Sequence, residues 1–137
     1  MDQIPRQVGL TGWRVMLGLA ALYNLAIGAA AMLTSQASLD ARLVGLLVGC
    51  FGLLYALAAS APLRFAPVLW IGVIGKLGVI ALVLPQVRAG LAAPGTRLVL
   101  AGDALFTLGF VAFLLTTARQ GASEPGALNH GDETASP

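Results

Sequence analysis

The sequence predicts an all-α integral membrane protein, a four-transmembrane-helix antiparallel bundle with short loops and a disordered C-terminal tail. Three observations predict it. Of 137 residues, 58% are hydrophobic and only 10% charged, less than half the roughly 25% charge of soluble domains. Four apolar runs of about 20 residues, the length that crosses a bilayer core, follow one another with short gaps. After Thr117 the composition turns abruptly to Ser, Gly, Pro, Asn, His, Asp and Glu. So few charges cannot cover a water-facing surface, and lipid must take their place.

The first run is Trp13–Leu33. It exceeds the 7–15 apolar residues of a secretory signal and reads as a retained helix rather than a cleaved leader. Thr34–Ala41 follows, where Ser38 or Asp40 is suited to cap the next helix. The second run, residues 43–60, and the third, residues 66–84, are short for a span and should stand nearly upright. Pro62 lies between them, and Pro67 falls in the first turn of the third helix, where proline is tolerated. Pro85 is expected to close that helix, and Pro94-Gly95-Thr96 to turn into the fourth, residues 97–117. Loops this short make sequential helices antiparallel neighbours. The absence of sustained alternation argues against a β-barrel. Residues 118–137 contain too little apolar surface to offset the entropy of ordering and read as a disordered polar tail, leaving residues 1–117 as the one membrane domain.

The net charge of +2 is small and its eight basic residues are spread along the chain, which excludes a nucleic-acid surface. Arg6, Arg14, Arg64 and Arg119 fall on one side of the four-span layout and Arg42, Arg88 and Arg97 on the other. The excess of basic residues marks the cytoplasmic side, so both termini are expected there, in a multi-pass protein of the inner membrane. Trp13 and Trp70 lie near that same face, as interfacial anchors do. Arginine dominates the basic residues, and alanine and glycine are abundant; both fit a bacterial source.

One cysteine, Cys50, and one histidine, His130 in the tail, exclude an internal disulfide, a cysteine metal cage and a His/Cys catalytic pair within the membrane. Neither a cofactor nor a metal is expected.

An ionisable residue inside a span costs about 2.5–3.5 kcal/mol, so Lys76 and Asp103 each require a reason. Counted from the loop between the third and fourth runs, they lie about 12 Å and 9 Å deep on the same side, which suits an ion pair. Asn24 and Cys50 share that depth in the first two runs. If their faces converge, Asn24, Cys50, Lys76 and Asp103 make one intramembrane polar layer, one residue per helix. Tyr23 and Tyr55 are close in sequence but need not face inward. The pair reads either as a clamp that fixes helix register or as a titrating or ligand-anchoring site. Asn24 reads as interhelical hydrogen-bond glue, and Cys50 as a small buried hydrophobe.

Small residues recur at Gly45, Gly49, Gly52 and Ala56 in the second run, at Gly72, Gly75 and Gly78 in the third, and at Gly102 and Gly109 in the fourth. They let helix backbones approach closely in lipid, which supports a compact bundle and is compatible with a homo-oligomer.

The first run reads Leu22-Tyr23-Asn24-Leu25-Ala26-Ile27-Gly28. With Ile71-Gly72-Val73-Ile74-Gly75-Lys76-Leu77-Gly78 and Gly102-Asp103, the layout resembles small four-helix bacterial membrane proteins of the DoxX-like kind over about residues 13–117. That resemblance implies the four-helix fold and a setting near quinone-linked or redox membrane complexes, with no residue signature of activity to carry over. The function expected is that of a noncatalytic or accessory component of a membrane complex, its partners being the bilayer and a second membrane protein or copy. The alternative is a small oligomeric proton-coupled transporter using Asp103 and Lys76. An enzyme acting on a quinone or lipid ranks below both, because the runs lack the histidine or cysteine pairs that haem ligation or disulfide chemistry needs.

Overall fold

The computed structural model describes residues 4–122, with side chains over residues 9–119. It is a bundle of four helices, α1 (Ile4–Leu33), α2 (Leu39–Ser60), α3 (Ala66–Arg88) and α4 (Thr96–Ala122), with no strand among the described residues. Each helix is long and apolar enough to cross a membrane, and the chain is a multi-pass membrane protein of the expected all-α class.

Ser38 caps α2, its hydroxyl accepting from the Ala41 amide at 3.2 Å, while Asp40 sits in the first turn, where its negative charge complements the helix dipole. Pro67 occupies the first turn of α3. Gly90 and Gly95 adopt φ of +73° and +86°, a backbone that favours glycine and lets the α3–α4 connection turn back.

All four helices run further than the apolar runs, α2 beginning at Leu39 rather than at residue 43. α1 begins at Ile4 rather than Trp13. α3 passes through Pro85 to Arg88, because a proline this close to a helix end removes one hydrogen bond whose loss the final turn tolerates. The Ala89 amide then bonds the Pro85 carbonyl at 3.0 Å, and the Leu91 amide the Gln86 carbonyl at 3.0 Å. α4 continues past Thr117 to Ala122, taking residues 118–122 from the expected tail; Ala118, Arg119 and Gln120 are good helix formers. Residues 123–137, the rest of that tail, lie outside the described residues.

The bundle is two closely packed hairpins, α1 with α2 and α3 with α4, which meet each other over much shorter stretches. The α1–α2 contact is backbone on backbone. A Cβ on Gly28 would stand 2.6 Å from the Gly45 carbonyl oxygen and 2.7 Å from the Gly49 nitrogen, and one on Gly52 would meet Leu25 at 2.8 Å. In lipid, where apolar side chains gain nothing by leaving their solvent, such close approach is what holds helices together. The glycines of α2 thus serve the fold of a single chain, and Ala56, expected in the same stripe, faces outward.

The core lies in the half of the bundle nearer the α2–α3 connection. Leu17, Ala20, Ala21, Tyr55, Ala58, Leu69, Val73, Phe110, Phe113 and Leu114 form it. Its rings interlock: Tyr55 meets Phe110 edge-on with centroids 4.8 Å apart, and Trp13 meets Phe113 at 5.3 Å. An Arg14 guanidinium N–H donates to the Ser60 carbonyl at 3.2 Å, tying the α1 and α2 ends on this side. The outer faces are leucine-rich, with Leu22, Leu82, Leu98, Leu105 and Leu108 exposed. That surface suits a hydrocarbon environment and would be costly in water.

Candidate functional site

Lys76 lies ten residues past the start of α3 and twelve before its end, about 15 Å and 18 Å from either. The extension of α3 to Arg88 makes this deeper than the apolar run suggested. Its side chain is buried and donates to the Asp103 carboxylate oxygen Oδ1 in an ion pair internal to the α3–α4 hairpin. A second N–H of the same ammonium donates to Asn24 Oδ1 at 3.3 Å, bringing in α1 from the other hairpin. An ammonium has donors only, so the Asn24 amide must turn its oxygen toward Lys76 and its NH₂ away. Asn24 and Asp103 are themselves buried.

Two aromatic rings complete the cluster. The Tyr23 ring stands 5.6 Å and the Tyr55 ring 5.8 Å from Lys76 Nζ, within range of a cation–π attraction. Each tyrosine fills a space left by a glycine of the opposite hairpin. A Cβ on Gly72 would stand 2.7 Å from the Tyr55 hydroxyl, and one on Gly102 would stand 2.6 Å from Tyr23 Cζ. The Tyr23 hydroxyl donates to the Val99 carbonyl at 2.7 Å, one turn before Asp103, and the Thr107 hydroxyl to the Asp103 carbonyl at 2.6 Å. Hydroxyl groups thus engage backbone on both sides of the carboxylate.

Of the four residues expected in a polar layer, the structure brings Asn24, Lys76 and Asp103 together and leaves Cys50 out. Cys50 is exposed, not buried as expected. The inward faces of α2 are already taken, by Gly45, Gly49 and Gly52 against α1 and by Phe51 and Tyr55 toward α3, so residue 50 turns to the lipid side. At the level of Lys76, α2 contributes Tyr55 instead. Tyr23 and Tyr55 are the site residues that sequence reasoning missed. The signal available for them was a phenol in an apolar run, which must find a polar partner, matched to Gly72 and Gly102 on the other hairpin.

Beside the cluster lies a cavity of about 370 Å³ between the two hairpins. Val44, Leu47, Val48 and Phe51 of α2 wall one side, Gly72, Gly75 and Val79 of α3 the other, and Asn24, Lys76, Asp103 and Tyr55 stand at its polar end. Val44, Leu47 and Val79 are exposed, so the cavity opens sideways between α2 and α3, toward lipid. Among the described residues no group of three or more His, Cys, Asp or Glu side chains is placed to hold a metal ion. Chemically the site offers one compensated charge pair, one amide and two phenols.

Neither a protein-family model, nor a curated protein, nor a solved structure matches this chain. Fold and site together define a class rather than a family: a multi-pass four-helix membrane protein with a buried ionic cluster beside a lipid-facing cavity.

Proposed function

We propose that this is a noncatalytic membrane protein, an accessory component of a membrane complex, in which Lys76, Asp103 and Asn24 act as a clamp. The observation that carries this reading is that the two intramembrane charges neutralise each other while the same ammonium also binds Asn24 of the other hairpin. A lone carboxylate poised to carry protons would stand without so close a cation. The cluster also contains no nucleophile–base pair of the kind covalent catalysis requires.

The second reading, a small oligomeric proton-coupled transporter, is favoured by one feature, the cavity that reaches Asp103 from the membrane side. Proteoliposomes carrying an imposed pH gradient and a trapped pH-sensitive dye separate the two. The gradient should decay at the same rate with the parent protein, with Asp103→Asn and with empty vesicles. Decay that requires Asp103 would sink the accessory reading.

We place both termini on the cytoplasmic side of a bacterial inner membrane, supported by four basic residues against three and by Trp13 and Trp70 on that face. Labelling of a terminal cysteine by an impermeant reagent added outside intact cells would contradict that. The DoxX-like reading is supported by the stretches 22–28, 71–78 and 102–103, which between them hold all three residues of the clamp.

A further inference from the structure

The clamp leaves polar valences unused at the end of the cavity. Lys76 engages one oxygen of Asp103 and the amide oxygen of Asn24. Among the described residues no hydrogen bond engages Asp103 Oδ2, Asn24 Nδ2 or the Tyr55 hydroxyl, although all three residues are buried, Asn24 and Tyr55 almost completely. None of these atoms is sealed away from the cavity either, since no wholly buried side-chain polar atom lacks a partner, and all three residues line it. A bilayer core supplies no water to satisfy them, and an unsatisfied polar group there is expensive.

We infer that the cavity is a binding site for an uncharged, single-chain amphiphile whose hydroxyl head sits against Asp103, Asn24 and Tyr55 and whose chain lies between α2 and α3. The inference rests on the clamp reading, because a compensated ion pair is what makes the site neutral. A charged head would add an uncompensated charge at bilayer depth. A hydroxyl donates and accepts from one small atom. It can donate to Asp103 Oδ2 while accepting from Asn24 Nδ2, with Tyr55 able to do either. The apolar walls and sideways opening suit a chain arriving from the membrane, and Gly75, whose added Cβ would touch only Phe51 at 3.8 Å, leaves the wall open where the chain would lie. The volume falls within the range of ordinary small-molecule sites, about 300–1,000 Å³.

The test uses the purified full chain in nanodiscs and a monoacylglycerol bearing a photoreactive diazirine on its acyl chain. Matched probes have both hydroxyls methylated, or carry a carboxylate or an ammonium head. The hydroxyl probe should label cavity-wall residues about tenfold more than each matched probe, a preference of about 1.4 kcal/mol. Gly75→Leu, which fills the cavity without touching the clamp, should abolish that preference while leaving the thermal midpoint without probe unchanged; Val48→Phe fills it from the other wall should Gly75→Leu not fold. A prenyl-alcohol probe that competes better than the monoacylglycerol identifies an isoprenoid source, and the reverse an acylglycerol source. Equal labelling by the methylated probe, preference for a charged head, or undiminished labelling of the filled variants overturns the inference. Asp103-dependent proton flux alongside hydroxyl-selective labelling would overturn the accessory reading and leave the binding site standing.

Discussion

A charge placed in hydrocarbon has to be compensated nearby, and Lys76 shows how closely. Its ammonium is met by a carboxylate, an amide oxygen and two aromatic faces from the three other helices. Lys76 and Asp103 were legible in the sequence because charges stand out in apolar runs, and Asn24 because residue counting puts it at the same depth. Depth, however, does not give direction around the helix axis. Cys50 has the right depth and the wrong azimuth, while Tyr23 and Tyr55 point inward because Gly102 and Gly72 make room for them. Gly102→Val should push against the Tyr23 ring and destabilise the protein by about 1–3 kcal/mol, the usual cost of overpacking. Tyr23→Phe removes only the bond to the Val99 carbonyl and should cost less, about 0.6 kcal/mol, the average for hydrogen bonds between membrane helices. Thermal unfolding of both variants in detergent checks the order; a larger loss from Tyr23→Phe would show that the hydroxyl, not the fit of ring to glycine, matters most.

At the scale of the helices, glycine content was visible in the sequence but its use was not. A Cβ on Gly28 or Gly45 would run into the backbone of the facing helix, whereas Gly18, Gly49 and Gly78 have open space where a Cβ would be. Gly28→Ala should therefore destabilise the α1–α2 hairpin by about 1–3 kcal/mol. Gly78→Ala should change stability by no more than about 0.5 kcal/mol, or raise it slightly through better helix propensity. Accumulation in the membrane and thermal midpoints of the pair would measure this, and equal sensitivity at positions 28 and 78 would contradict the packing described. The helix ends teach a related lesson. Hydropathy finds the stretch that lipid can cover, but a helix ends where its hydrogen bonds end. Hence all four helices outrun their apolar segments, at Ile4, Leu39, Arg88 and Ala122.

For the whole molecule, the four-helix architecture followed from composition and run length, because the bilayer admits few other ways to satisfy the backbone. The division into two hairpins with a cavity between them did not follow, since it depends on which faces meet. That division gives the clamp its importance. The hairpins share a short interface, and at mid-depth Lys76 binds one partner from each. Removing one member of a buried ion pair typically costs about 3–5 kcal/mol, because the other charge is left uncompensated. The most direct measurement is therefore the thermal stability and membrane accumulation of Lys76→Met, Asp103→Asn and the exchange of the two residues, Lys76→Asp with Asp103→Lys. Each single change should lower both sharply, and the exchange should recover at least half of the loss, since it keeps the opposite charges facing each other within the α3–α4 hairpin. Single variants as stable as the parent, or an exchange no better than either single change, would contradict the clamp.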